Sequence, residues 1–140
     1  MDDYELCYTI NVPATSILFM EFSTTGRFLA VAEGGHGDIH VLEESKGFYP
    51  TFSTNLSAMP TSLVWESSTK FYVGLSDGRF VDYGIDLTNQ RLTKGTTNSS
   101  LYGGLPATAI AIDAKSTTLV LAVGPDVFAF RRTSRTGANH

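Results

Sequence analysis

FYVGLSDGRFVDY, running from Phe71 to Tyr83, holds two short apolar runs joined by Ser76-Asp77-Gly78. Asp-Gly between such runs is among the strongest short-range hairpin signals, because a type I′ turn needs positive φ at its central residues. A tight antiparallel hairpin is expected here, with Gly78 in the left-handed region. Upstream, Leu63-Val64-Trp65 reads as a further strand, separated from Phe71 by the polar turn Ser67 to Lys70. Downstream, the loop Gly84 to Gln90 leads to a weak fourth strand over Arg91 to Lys94, and 95–104 reads as loop. The unit is a small antiparallel meander.

The same order of signals occurs before and after it. The earlier copy has Ile17 to Phe22, the turn Ser23 to Gly26, Phe28 to Ala32, a glycine loop Glu33 to Asp38, and Ile39 to Leu42. Its fourth strand, Phe48 to Ser53, contains Pro50, which suits an edge position because proline cannot donate to a ladder. The later copy has Ala109 to Ile112, Thr118 to Val123 and Val127 to Phe130, with no fourth strand. Pro13, Pro60 and Pro106, spaced 47 and 46 positions apart, set the period. They align Val12-Pro13-Ala14 with Met59-Pro60-Thr61 and Leu105-Pro106-Ala107, and Ile17-Leu18-Phe19 with Leu63-Val64-Trp65. The copies then cover about 12–58, 59–104 and 105–130. A leading strand is expected over 4–10, YELCYTI, from its β-type composition, and 131–140 reads as a polar disordered tail.

FLAVA, FYVGL and LVLAV are apolar at successive positions, hence on both faces of a strand. A meander with two apolar faces must lie between neighbours, so the copies are expected to stack. Leu29, Val31, Val73, Leu75, Val120 and Leu121 are the expected core between them, and Trp65 is expected to join it.

The 140 residues amount to one ordinary domain, and 42% hydrophobic against 17% charged residues is enough to build a core. Net charge is −4, and Arg131, Arg132 and Arg135 are the only basic cluster, so nucleic acid is not an expected partner. No apolar run reaches the roughly 18 residues of a membrane helix, so a membrane is not expected either. The acidic start MDDYELCYT lacks a signal-peptide layout, and Cys7 has no second cysteine to pair with. An intracellular location, cytoplasmic or nuclear, is expected.

Little in the chain suggests bond-making chemistry. His36 and His40 lie four apart near Glu33, Asp38 and Glu43, but His36 sits in a glycine loop, and a metal site needs three or four convergent ligands. The expectation is a loop followed by a strand histidine, with no metal and no cofactor. No Gly-x-Ser-x-Gly is present. Gly34-Gly35-His36-Gly37 opens no helix, so it is not a phosphate loop. Glu21, the only carboxylate inside an apolar strand, is expected to point to water.

A four-stranded meander repeating every ~40–45 residues is the pattern of a WD40-type β-propeller blade. The chain resembles WD40-repeat proteins over 4–130, most clearly in Phe22 to Ala30 and Gly74 to Phe80. It departs from them in lacking Gly-His before any first strand. Val41-Leu42, Asp82-Tyr83 and Phe130-Arg131 stand where the family has Trp-Asp. The resemblance implies an all-β fold of antiparallel four-stranded meanders, stacked as about three propeller blades in one domain over 1–130. Propellers typically need 4–8 blades to close, so an open arc is expected, with uncovered apolar faces available to another copy or a partner. The resemblance also implies a loop-bearing face formed by Asn11 to Thr15, Glu33 to Asp38, Asn55 to Pro60, Ser76 to Arg79, Gly103 to Ala107 and Gly124 to Asp126. Its candidate partner contacts are Glu33, His36, Asp38, Asp77, Arg79 and Asp126. The implied role is a non-enzymatic protein–protein interaction scaffold, a fragment of a larger propeller. The alternative is a propeller-type hydrolase or lyase, or a sugar-binding module, with its site on the channel-facing loops.

Overall fold

The computed structural model describes residues 3–7, 9–12, 16–97 and 104–132. Within them eleven strands form three antiparallel sheets. The first sheet holds β1 (Ile17–Phe22), β2 (Phe28–Glu33), β3 (Asp38–Glu43) and β4 (Tyr49–Asn55), with a single 3-10 turn at Glu44–Lys46. The second holds β5 (Pro60–Trp65), β6 (Lys70–Leu75), β7 (Phe80–Asp86) and β8 (Arg91–Thr97). The third holds β9 (Ala107–Ile112), β10 (Thr118–Val123) and β11 (Asp126–Arg131). Each sheet is a meander in chain order, and none closes on itself. Pro50 lies on β4, an edge strand, beside a register shift opposite Leu42.

The sheets stack through their side chains. Register partners share a face, so Phe28, Ala30 and Ala32 point with Ile39 and Val41 toward the second sheet. There they meet Leu63, Trp65, Phe71, Val73, Leu75 and Tyr83 in one core. The other face of the second sheet presents Val64, Tyr72 and Phe80 to Leu119, Leu121 and Val123 of the third. The second sheet is thus covered on both sides, which is why FYVGL carries no polar alternation. The inner strand β5 abuts both β1 and β9 while β4 and β8 touch only lightly, so the sheets fan out like blades about an axis.

Of the six expected core residues, Val31, Val73, Leu75 and Leu121 are buried. Leu29 and Val120 are half-buried. Trp65 is 4% exposed, lies between Phe28 and Phe71, and donates its indole N–H to the Glu21 carbonyl at 2.9 Å. Glu21 itself is exposed on the innermost strand.

Four expectations need correction. Residues 4–7, 9 and 10 form no strand, and Tyr4 and Leu6 stand in solvent, because no neighbouring strand supplies their hydrogen-bond partners. Residues 131 and 132 do not belong to a disordered tail. Arg131 ends β11, and the Arg132 amide bonds the Thr117 carbonyl at 2.8 Å; 133–140 lie outside the described residues. The proline period misaligns the copies: register places Phe22, Trp65 and Ile112 at one position, 43 and 47 residues apart. Pro60 is the first residue of β5, whereas Pro106 precedes β9; Pro13 lies outside the described residues. Finally, the Asp77-Gly78 hairpin is a three-residue loop and not a type I′ turn. The Gly78 amide bonds the Leu75 carbonyl, Gly78 has φ 87°, and Asp77 is not among the residues of positive φ.

Candidate partner-binding face

The chain enters each first strand at the same end where the second strand turns into the third. One end of the stack therefore collects the loops 34–37, 56–59, 76–79 and 124–125. Backbone bonds tie them together. Gly34 donates to Ser16, Leu56 to Gly37 and Ser76 to Met59. The loop 56–59 is wedged between those of the first and second sheets.

Glu33 shapes the first loop. Its carboxylate is 1% exposed and accepts the amides of Gly35 at 2.6 Å, His36 at 2.8 Å and Asp38 at 3.4 Å. Several amide donors offset the loss of water around a buried charge. Glu33 therefore holds the loop from inside and does not reach a partner. His36 is exposed at the loop tip and Asp38 half-exposed at its end. Asn55 joins them, donating to the His36 carbonyl at 2.9 Å and to Asp38 Oδ1 at 2.6 Å.

The second loop is fixed by its own ion pair. Arg79 donates from Nε to Asp77 Oδ2 at 2.7 Å and from its amide to Oδ1 at 3.2 Å. Its terminal nitrogen reaches Ser57 Oγ at 2.9 Å, which binds this loop to the one entering β5. The Arg79 guanidinium holds the Asp77 carboxyl below the usual aspartate range. Asp126 opens β11 at the same end and is exposed. Four of the six residues expected on this face thus lie on two loops joined through Asn55 and Ser57, Glu33 is inside, and Asp126 is one sheet away. Sequence reasoning missed Asn55 and Ser57 as linkers, since only topology brings residue 55 to residue 38.

His40 points away from these loops. It pairs with Val31 on the open face of the first sheet, and its Nε2 is buried with no hydrogen-bond partner among the described residues. At the opposite end, Glu66 accepts from Tyr72 at 2.9 Å and pairs with Arg132 at 2.7 Å, joining second and third sheets. A polar groove of about 270 Å³ runs between β4 and β8, lined by Thr51, Ser53, Thr54, Gln90 and Arg91. Among the described residues no three His, Cys, Asp or Glu converge as a metal site, and no helix is long and apolar enough to cross a membrane.

No protein-family profile and no curated protein matches the sequence. Solved structures do resemble it. The Dos1 propeller matches 91% of this chain at 17% identity and TM-score 0.70, using 33% of its own length. A chain of the mitotic checkpoint complex matches 82% at 14% identity and TM-score 0.69, over 36% of its length. The C-terminal WD40 domain of Sif2 matches 81% at 10% identity and TM-score 0.66, over 33% of its length. This chain spans about a third of each of them. With its meanders, its fanned stack and these likenesses, the chain has the fold of the WD40 β-propellers, about three blades of one set in an open arc.

Proposed function

We propose that this chain is a non-enzymatic protein–protein interaction scaffold, a section of a larger propeller whose loop-bearing end receives a protein partner. The carrying observation is the cross-tied loop surface, where Asn55 and Ser57 fix Asp38 and Arg79 on neighbouring sheets. A surface held by its own hydrogen bonds loses little conformational freedom on binding. It offers mixed charge from Asp38, Asp77, Arg79 and Asp126 and the exposed ring of His36. Intracellular work, in the cytoplasm or nucleus, suits the exposed free thiol of Cys7.

Photo-crosslinking tests the reading. A crosslinking residue at position 36 or 126 should capture a protein partner in cells. The same residue at Lys115, in the turn at the opposite end, should not. Equal capture at both ends, or none at 36 and 126, would contradict it.

A further inference from the structure

We propose that Ser134 is a phosphorylation site for a kinase that reads paired arginines, and that the tie between Arg132 and Glu66 governs its use. The tie lies at the end of the stack opposite the loop-bearing face, so the proposal stands apart from the partner reading.

Arg131-Arg132-Thr133-Ser134 places two arginines three and two positions before a serine. No other adjacent pair of basic residues occurs in the chain, so no other serine or threonine has this setting. A kinase selects such a serine through carboxylates in its substrate groove, which pair with guanidinium groups at fixed offsets along an extended segment. β11 already has that form. It is the outer strand of the third sheet, with no strand beside it among the described residues, and it runs extended to Arg131. Arg131 and Arg132 are both exposed. Thr133 and Ser134 lie outside the described residues.

Arg132 has bonds to give up before a kinase can hold it. Its amide donates to the Thr117 carbonyl at 2.8 Å and its Nε to the Ser116 carbonyl at 2.7 Å, both in the turn before β10. Its Nη2 pairs with Glu66 Oε1 at 2.7 Å, reaching across to the second sheet. The side-on fork of the guanidinium, Nε with Nη2, is thus taken, and bidentate pairing through it with a kinase carboxylate requires its release. Glu66 is itself well held. It follows Trp65 at the end of β5, accepts the Tyr72 hydroxyl at 2.9 Å and lies 3.8 Å from Lys70 Nζ. Tyr72 packs in the apolar contact between the second and third sheets, so the tie and that contact form one assembly.

The step transfers one phosphoryl group. Ser134 Oγ attacks the γ-phosphorus of a magnesium-bound nucleoside triphosphate in the kinase. The bond from that phosphorus to the bridging oxygen breaks, the nucleoside diphosphate leaves, and the hydroxyl proton passes to a carboxylate of the kinase. The product acts back on the tie. Two residues span at most about 7 Å of chain, so the phosphate reaches the Arg132 guanidinium. It brings nearly two negative charges and about three strong acceptor oxygens, against the single charge of Glu66, and it repels that carboxylate. Arg132 therefore moves from Glu66 to the phosphate. The third sheet loosens from the second at a contact whose apolar core, among the described residues, is the smaller of the two.

The purified chain, incubated with magnesium ATP and the catalytic subunit of cyclic-AMP-dependent protein kinase, should gain one phosphate. Tandem mass spectrometry should place it on Ser134, and Ser134→Ala should abolish it. Glu66→Gln should raise the initial rate about two- to fivefold, the gain from opening an exposed ion pair, with its cooperative melt retained. Tyr72→Phe removes a bond to Glu66 but leaves the ion pair, so its rate should match the parent's. The phosphorylated parent should melt earlier than the unmodified chain, a reading that needs neither variant to fold. No phosphate on Ser134, or faster labelling elsewhere, would overturn the site. A Glu66→Gln rate no higher than the parent's, equal acceleration by Tyr72→Phe, or an unmoved melt on phosphorylation would overturn the role of the tie.

Discussion

Gly78 and Ser116 occupy left-handed backbone at φ 87° and 56°, one suited to it and one not. Gly78→Val should destabilise by roughly 1–2 kcal/mol, the cost of a Cβ in that region. A denaturation midpoint equal to the parent's would contradict the loop geometry. Ser116 closes the β9–β10 turn at the position where the first sheet uses Gly26, and its amide bonds Asp113 as that of Gly26 bonds Ser23. Ser116→Gly should therefore stabilise by about 0.5–1 kcal/mol, since relief of strain exceeds the added freedom of the unfolded chain. Both turns were legible in sequence, but the type at Gly78 was not, because three linking residues and the Asp77–Arg79 bonds select a bulged loop over a two-residue one. Asp77 is held below the ordinary 3.8 by Arg79, Asp86 by Asn89, and Asp113 by the Thr118 amide and Thr117 hydroxyl. Each releases its proton more readily when folded than when unfolded. Their contribution is whole above that ordinary value and is lost as pH falls through the lower folded values. Urea midpoints measured from roughly pH 5 down to 2 should fall in the acid range, and Asp113→Asn should flatten the fall. An unchanged slope would show these bonds to be absent in solution.

Trp65 fixes the contact between the first two sheets. Buried, stacked on Phe28 and bonded to Glu21, it should cost about 3–5 kcal/mol on Trp65→Ala, seen as an earlier thermal transition. A loss below about 1 kcal/mol would mean the sheets do not meet there. The sequence showed this element as core because Leu63, Val64 and Trp65 form one short apolar run. It also showed the three meanders and the edge position of Pro50. The register shift at Leu18, Thr61 and Thr108 left no trace, since a bulge is defined by the strand opposite. The proline spacing misled for the same reason: loops of unequal length make the copies drift, and only pairing shows that Phe22 matches Trp65. Residues 4–7, 9 and 10 carry strand composition without a strand, because a ladder needs a second edge.

For the whole molecule, apolar runs on both strand faces correctly implied stacking, and two full meanders plus three strands implied an arc. The resemblance implied which loops share the candidate face, but the side-chain links through Asn55 and Ser57 depend on long-range placement that no local pattern carries. The central claim is that three meanders stack face to face. It can be read from one two-dimensional NOE spectrum, since the chain has a single Trp and its indole proton is unambiguous. Trp65 should show cross-peaks to Phe28 and Glu21, and the Phe80 ring, 5.1 Å from that of Phe130, should show cross-peaks to it. Hairpin cross-peaks within each meander, with none between Trp65 and Phe28 or between Phe80 and Phe130, would contradict the stack.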